Sequence, residues 1–110
     1  MICFPNAKIN IGLRVTGKRP DGYHNIESIL YPIGLTDILE ISERGKVSGK
    51  GISLDTTGIK IDSPPKENLV FRAAELLKKE YSIPPLSIHL HKLIPTGSGL
   101  GGGSSDTAFF

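Results

Sequence analysis

Pro95-Thr96-Gly97-Ser98-Gly99-Leu100-Gly101-Gly102-Gly103-Ser104-Ser105-Asp106 is the most glycine-dense run in the chain, with five glycines among the seven residues from Gly97 to Gly103. It follows a segment that alternates apolar and polar residues, Leu86 to His91, and leads into a predicted helix that starts at Ser104. Glycine lets the backbone turn sharply and approach a ligand, because no Cβ intervenes. Successive N–H groups in such a turn form an anion-binding nest. The free N–H groups and positive dipole end of a following helix favour a phosphate at the same place. The hydroxyls of Ser104 and Ser105 are placed to cap the helix, to touch phosphate or to hold Mg²⁺. The alternative is a flexible Gly/Ser linker; the flanking strand and helix, and Leu100 at the centre of the run, argue against it.

Several phosphate loops are excluded by spacing. A Walker A loop needs Gly-Lys-Ser/Thr at the helix start, and no lysine is present. Gly97, Gly99 and Gly102 satisfy the three-glycine dinucleotide spacing, but that fold expects the loop after its first parallel strand, and about five predicted strands precede it here. A protein-kinase glycine loop lies in a hairpin rather than before a helix.

Upstream, residues 7–16 alternate strictly. Ala7, Ile9, Ile11, Leu13 and Val15 share one face, and Lys8, Asn10, Gly12, Arg14 and Thr16 the other, so a strand is predicted. Lys18-Arg19-Pro20-Asp21-Gly22 reads as a turn. Tyr23 to Ile33 is strand-like again, and Thr36-Asp37 breaks it before Ile38 to Ile41. The expectation is an antiparallel meander. Residues 45–64 read as a ragged hairpin with arms at Ile52–Leu54 and Ile59–Ile61. Asn68 is a helix cap, followed by Leu69, Val70, Ala73, Leu76 and Leu77 at helical spacing. Pro84-Pro85 ends that helix before the strand at Leu86. With no repeat and no linker, the pattern is α+β, mostly antiparallel sheet packed on helices.

Composition narrows the function classes. Hydrophobic residues make up 38% of 110, which suits a globular protein. Thirteen basic against eleven acidic residues, net +2, with no basic run, do not mark a nucleic-acid binder. No apolar run approaches the roughly 20 residues that cross a bilayer, and no signal peptide is evident. Cys3 is the single cysteine, so no internal disulfide forms; it reads as a buried small hydrophobe, and a cytoplasmic protein is expected. The chain stops at Phe109-Phe110, one turn into the second helix, and is therefore expected to be part of a longer protein.

Pro95 and Gly99-Leu100-Gly101-Gly102-Gly103-Ser104-Ser105 resemble the phosphate motif of the galactokinase, homoserine kinase, mevalonate kinase and phosphomevalonate kinase (GHMP) superfamily. Pro5-Asn6-Ala7-Lys8-Ile9-Asn10-Ile11-Gly12-Leu13, followed by Arg19-Pro20-Asp21-Gly22-Tyr23-His24, is similar to the N-terminal signature of one family within it, the 4-diphosphocytidyl-2-C-methyl-D-erythritol kinases of the non-mevalonate isoprenoid pathway. The resemblance runs from Pro5 to Ala108. It implies a fold like domain 2 of ribosomal protein S5. Residues 1–110 would form part of the N-terminal ATP-binding domain, with the C-terminal domain absent. It implies ATP and Mg²⁺ as cofactors and a cytidine-diphosphate-linked methylerythritol as substrate, phosphorylated on its 2-hydroxyl. Lys8 matches the catalytic lysine. Asn10 helps hold substrate, and Tyr23 and His24 match the pair that recognises the cytidine end. Pro95, Gly97, Ser98, Gly99, Leu100, Gly101, Gly102, Gly103, Ser104 and Ser105 cradle the ATP phosphates, and Asn68 begins a helix near the adenine. The family's catalytic aspartate follows the loop and lies past Phe110; Asp106 does not substitute for it.

Without the resemblance, Lys8 and Asn10 read as a solvated strand face, Tyr23 as a half-buried aromatic and His24 as a turn-flanking polar residue. His89 and His91 share a strand face but lack the further ligands of a zinc site. Two rivals remain: another kinase of the superfamily, which need not have Asp21-Gly22-Tyr23-His24, and a non-catalytic nucleotide-binding module.

Overall fold

The computed structural model describes residues 1–45 and 51–110. In chain order the elements are β1 (Ile2–Cys3), β2 (Asn6–Lys18), β3 (His24–Thr36), β4 (Ile38–Glu43), β5 (Ile52–Gly58), a 3-10 turn (Pro65–Glu67), α1 (Leu69–Glu80), β6 (Leu86–Lys92) and α2 (Gly102–Phe109). They form a four-stranded sheet of order β1-β4-β6-β5 and a separate two-stranded β2–β3 sheet. Among the described residues, no helix is long and apolar enough to cross a membrane.

The core lies between the four-stranded sheet and α1. Leu39 of β4, Ile88 and Leu90 of β6, and Val70 and Ala74 of α1 are buried together, with Cys3, Ile41, Leu54, Ile61 and Phe110 packed around them. Asn68 caps α1 as its sequence predicts: its side chain accepts a hydrogen bond from the Val70 N–H at 2.9 Å. The turn at Arg19–Tyr23 also forms as predicted. Asp21 Oδ1 accepts from the Tyr23 N–H, and Gly22 supplies the positive φ of 88°.

Three expectations change. The meander breaks after its first hairpin. β2 and β3 pair antiparallel, but β4 leaves β3 and pairs antiparallel with β1 and β6 instead. The redirecting residue is Asp37 between β3 and β4, which is buried and accepts the N–H groups of Leu93 and Ile94 at 2.6 and 2.8 Å. The ragged hairpin is also absent from the described residues 51–64; its part at 46–50 lies outside the described residues. Ile52–Gly58 is one strand, parallel to β6, and the chain crosses back through α1 to reach that partner. Gly58, at φ 80°, ends it against the backbone of Lys92, where the Ile59 N–H donates to the Lys92 carbonyl at 2.8 Å. Ile59–Ile61 is no second arm. Third, α2 begins at Gly102, two residues before Ser104. Its N-cap is Gly101 at φ 74°, with no side-chain cap, so neither serine caps it. Glycine's poor helix propensity hides a start that packing imposes, because a Cβ on Gly102 would lie 2.8 Å from Ile94 Cγ2.

β2 is a strand, but its alternation does not run through. Gly12 takes φ 65°, and the register shifts between Ile11 and Arg14. Of the five apolar residues in phase, only Ala7 is buried; Ile9, Ile11, Leu13 and Val15 are exposed.

Candidate active site

The glycine loop hangs between the end of β6 and the start of α2. Gly97, Gly99 and Gly101 take φ 71°, 77° and 74°, each in the left-handed region that favours glycine. Ser98 braces the turn: its hydroxyl donates to the Pro95 carbonyl at 2.8 Å and accepts from the Leu100 N–H at 3.3 Å. The Ser105 N–H donates to the Gly101 carbonyl at 2.9 Å, so the first-turn N–H groups before it have no partner within the helix. An open cleft of about 260 Å³ lies against this loop. Its apolar wall includes Ile61, Leu69 and Pro95, and its polar wall Asn68 and the backbone of Gly97 to Gly103. Ser63, Glu67, Lys92 and Asp106 also line it.

Lys8 is tied to the loop twice. Its backbone N–H donates to the Leu100 carbonyl at 2.9 Å. Its ammonium donates to the Gly99 carbonyl at 2.5 Å and to Asn10 Oδ1 at 2.6 Å. Asn10 in turn donates from Nδ2 to Ser28 Oγ of β3 at 3.0 Å. Gly101 suits this place because its φ of 74° is left-handed, and a Cβ there would also crowd Lys8 Cε at 3.1 Å. Lys8, Asn10, Asn68 and the loop from Pro95 to Ser105 are therefore assembled in one region. Ser104 is exposed and Ser105 half-buried on the first turn of α2. Tyr23 and His24 are not brought to them. They stand at the hairpin's far end, where His24 pairs with Lys18, on the order of 30 Å of strand from Lys8, and Tyr23 is 74% exposed.

A buried ionic cluster sits beneath the loop. The Lys92 ammonium donates to Asp37 Oδ2 and, at 2.8 Å, to Asp106 Oδ2; the three residues are at most 1% exposed. Asp106 Oδ1 has no hydrogen-bond partner. Burial pushes the Asp106 carboxyl up to about 6, with Lys92 opposing and the Asp37 charge adding to the rise. Burial acts on Asp37 in the same sense, but the hydrogen bonds from Lys92, Ile94 and Leu93 reverse it and hold that carboxyl below its ordinary value. The sequence reading missed Lys92 and Asp37 and saw Asp106 only as part of a helix start. One signal was present: Ile88, Leu90 and Lys92 are in phase on the buried face of β6, so the alternation carries a charge into the interior. Asp37, at a strand break, carries no comparable mark.

On the sheet, Thr57 Oγ1 lies 2.9 Å from both His89 Nε2 and His91 Nδ1. Among the described residues no group of three or more His, Cys, Asp or Glu is placed to hold a metal ion.

Residues 68–110 match the model of the GHMP kinases N terminal domain. A 4-diphosphocytidyl-2-C-methyl-D-erythritol kinase from Parabacteroides distasonis is 59% identical over 99% of this chain and 38% of its own length. A kinase of the same name from Moorella thermoacetica is 45% identical over 93% of this chain and 34% of its own. A crystal structure of 4-(cytidine 5'-diphospho)-2C-methyl-D-erythritol kinase superposes with a TM-score of 0.76 at 37% identity, over 99% of this chain and 37% of that one. The chain thus spans well under half the length of the relatives it matches.

Proposed function

We propose that the chain is part of the N-terminal, ATP-binding domain of a GHMP kinase acting on 4-diphosphocytidyl-2-C-methyl-D-erythritol, a reading supported by the domain match over residues 68–110 and by the similarity to kinases of that name. The carrying observation is the double tie of Lys8 to the glycine loop, by its backbone to Leu100 and by its ammonium to Gly99. A fixed cation beside a phosphate cradle is what phosphoryl transfer asks of a protein, since its catalysis is mostly positioning and charge neutralisation.

In this reading the N–H groups from Gly97 to Ser105 hold the ATP phosphates. The base lies along Pro95 and Leu69, near Asn68. Lys8 neutralises charge that develops on the transferring group, and Asn10, oriented by Ser28, fixes the ammonium and touches substrate. Mg²⁺ at nucleotide sites draws most of its ligands from phosphate and water, so the hydroxyls of Ser104 and Ser105 fit the few protein contacts it needs. When bound, it would add to the neutralisation of phosphate charge. Tyr23 and His24, out on the hairpin, would meet the cytidine end of a long substrate by stacking and hydrogen bonding. The group that takes the hydroxyl proton, an aspartate in the family signature, is expected from the length of the relatives that this chain does not span. A lone cysteine fits the reducing cytoplasm.

The test is a phosphoryl-transfer assay on the gene's full-length product with ATP·Mg²⁺ and the cytidine-linked alcohol. Saturable turnover is expected there, and none from residues 1–110 alone. Turnover with mevalonate or homoserine in its place would keep the superfamily and discard the substrate. ATP binding without turnover of any of these alcohols would leave a nucleotide-binding module.

A further inference from the structure

We infer that Lys92, held between Asp37 and Asp106, is a positioning residue that fastens both ends of the glycine loop to one buried charge and so presets its N–H donors for phosphate. The inference rests on reading that loop as the nucleotide site.

The lead-in to the loop is held by Asp37: its Oδ1 accepts the N–H groups of Leu93 and Ile94, and its Oδ2 takes the Lys92 ammonium. The exit is held by Asp106 of α2, which accepts from the same ammonium at 2.8 Å. Gly102, the first residue of α2, lies directly over this joint; a Cβ there would stand 3.2 Å from Lys92 Nζ and 2.8 Å from Ile94 Cγ2. Pro95 to Gly101 therefore span two anchors that share one ammonium. A glycine-rich segment with free ends would lose much entropy on wrapping an anion; fastening the ends leaves less to lose on binding.

Fold stability alone does not call for this arrangement. Two buried carboxylates face one ammonium, one oxygen of Asp106 has no partner, and apolar side chains of similar size serve a core as well or better. What the cluster supplies is direction, because each hydrogen bond fixes a distance and an angle between β6 and α2. Asp106 also lines the cleft, so the joint reaches the site itself.

Calorimetric titration with ATP·Mg²⁺ compares Asp106→Asn and Asp106→Ala. Both remove the same charge, but only asparagine keeps an oxygen within reach of Lys92, so the ratio of their dissociation constants reads the tie. Alanine is expected to bind at least about fivefold more weakly than asparagine, since hydrogen bonds to charged groups are the strong ones. Equal dissociation constants in two folded variants, with only the melting temperature differing, would make the cluster structural and overturn the inference. Should the alanine variant not fold, amide exchange in the parent without nucleotide decides. The Ser105 N–H, bonded to Gly101, is expected to exchange as slowly as the amides of β6; free exchange would show that the loop is not held. A parent that does not bind ATP would instead defeat the nucleotide reading, and the exchange measurement would still judge the clamp.

Discussion

The four-stranded sheet and the β2–β3 hairpin carry the same kind of sequence and end in opposite states. On β6, Ile88 and Leu90 alternate with His89 and His91 and are fully buried beneath α1. On β2, Ile11, Leu13 and Val15 alternate just as regularly, and each is about half exposed or more. Alternation specifies a strand with two unlike faces; it does not supply the layer that covers one of them. The candidate site lies at the seam between these regions, with Lys8 reaching from the hairpin to a loop anchored in the sheet.

That contrast can be tested from its strongest consequence downward. Lys8→Ala removes a hairpin side chain that is tied to the loop. Turnover is expected to fall on the order of a hundred- to thousandfold, with a much smaller change in ATP affinity; equal turnover in steady-state assays would remove Lys8 from the mechanism. Leu90→Ala empties part of the covered core and should lower stability by about 2–5 kcal/mol in denaturant titrations. Leu90 tolerating alanine as an exposed residue would mean that α1 does not seal that face.

The buried cluster below the loop sets a pH dependence. Asp106 is raised from an ordinary 3.8 to about 6, so the native state holds its proton more tightly than the unfolded chain does. Its stabilisation is complete below about pH 4 and is lost as pH rises through about 6. The depressed Asp37 acts in the opposite sense, present above its unfolded value and lost only at more acidic pH. The melting temperature should therefore fall between pH 4 and 6, and Asp106→Asn should flatten that slope; an unchanged slope would place the proton elsewhere.

Tyr23→Ala, at the hairpin tip, should mainly raise the KM for the cytidine-linked substrate, by roughly tenfold for a lost aromatic stack. An unchanged KM would move cytidine recognition away from the tip. Leu13→Ala, on the bare face, should change stability by no more than about 0.5 kcal/mol. A loss as large as that of Leu90 would show that the face is covered in solution.

Much of the site was legible because its chemistry is local. A glycine loop between strand and helix, Lys8 and Asn10 in phase on one strand, and the Asn68 cap each depend on neighbours within a few positions, and sequence records those directly. The same holds for the turn at Asp21-Gly22. The start of α2 was misplaced because local propensity opposes glycine in a helix, while contact with Ile94 demands it at Gly102. The partner of β5 was misread because a strand pattern is the same whether the pairing is parallel or antiparallel, and only the return through α1 selects the parallel one.

The sequence alone therefore determined most of the strands, the first helix with its cap and the glycine loop between strand and helix, since backbone freedom, capping and periodicity act over short distances. Tertiary structure alone decided that β4 abandons β3, that the apolar face of β2 stays open, and that Lys92 meets Asp37 and Asp106. Those two contacts span 55 and 14 positions of the chain, and a buried charge can choose its partners only after the fold has excluded water from around it.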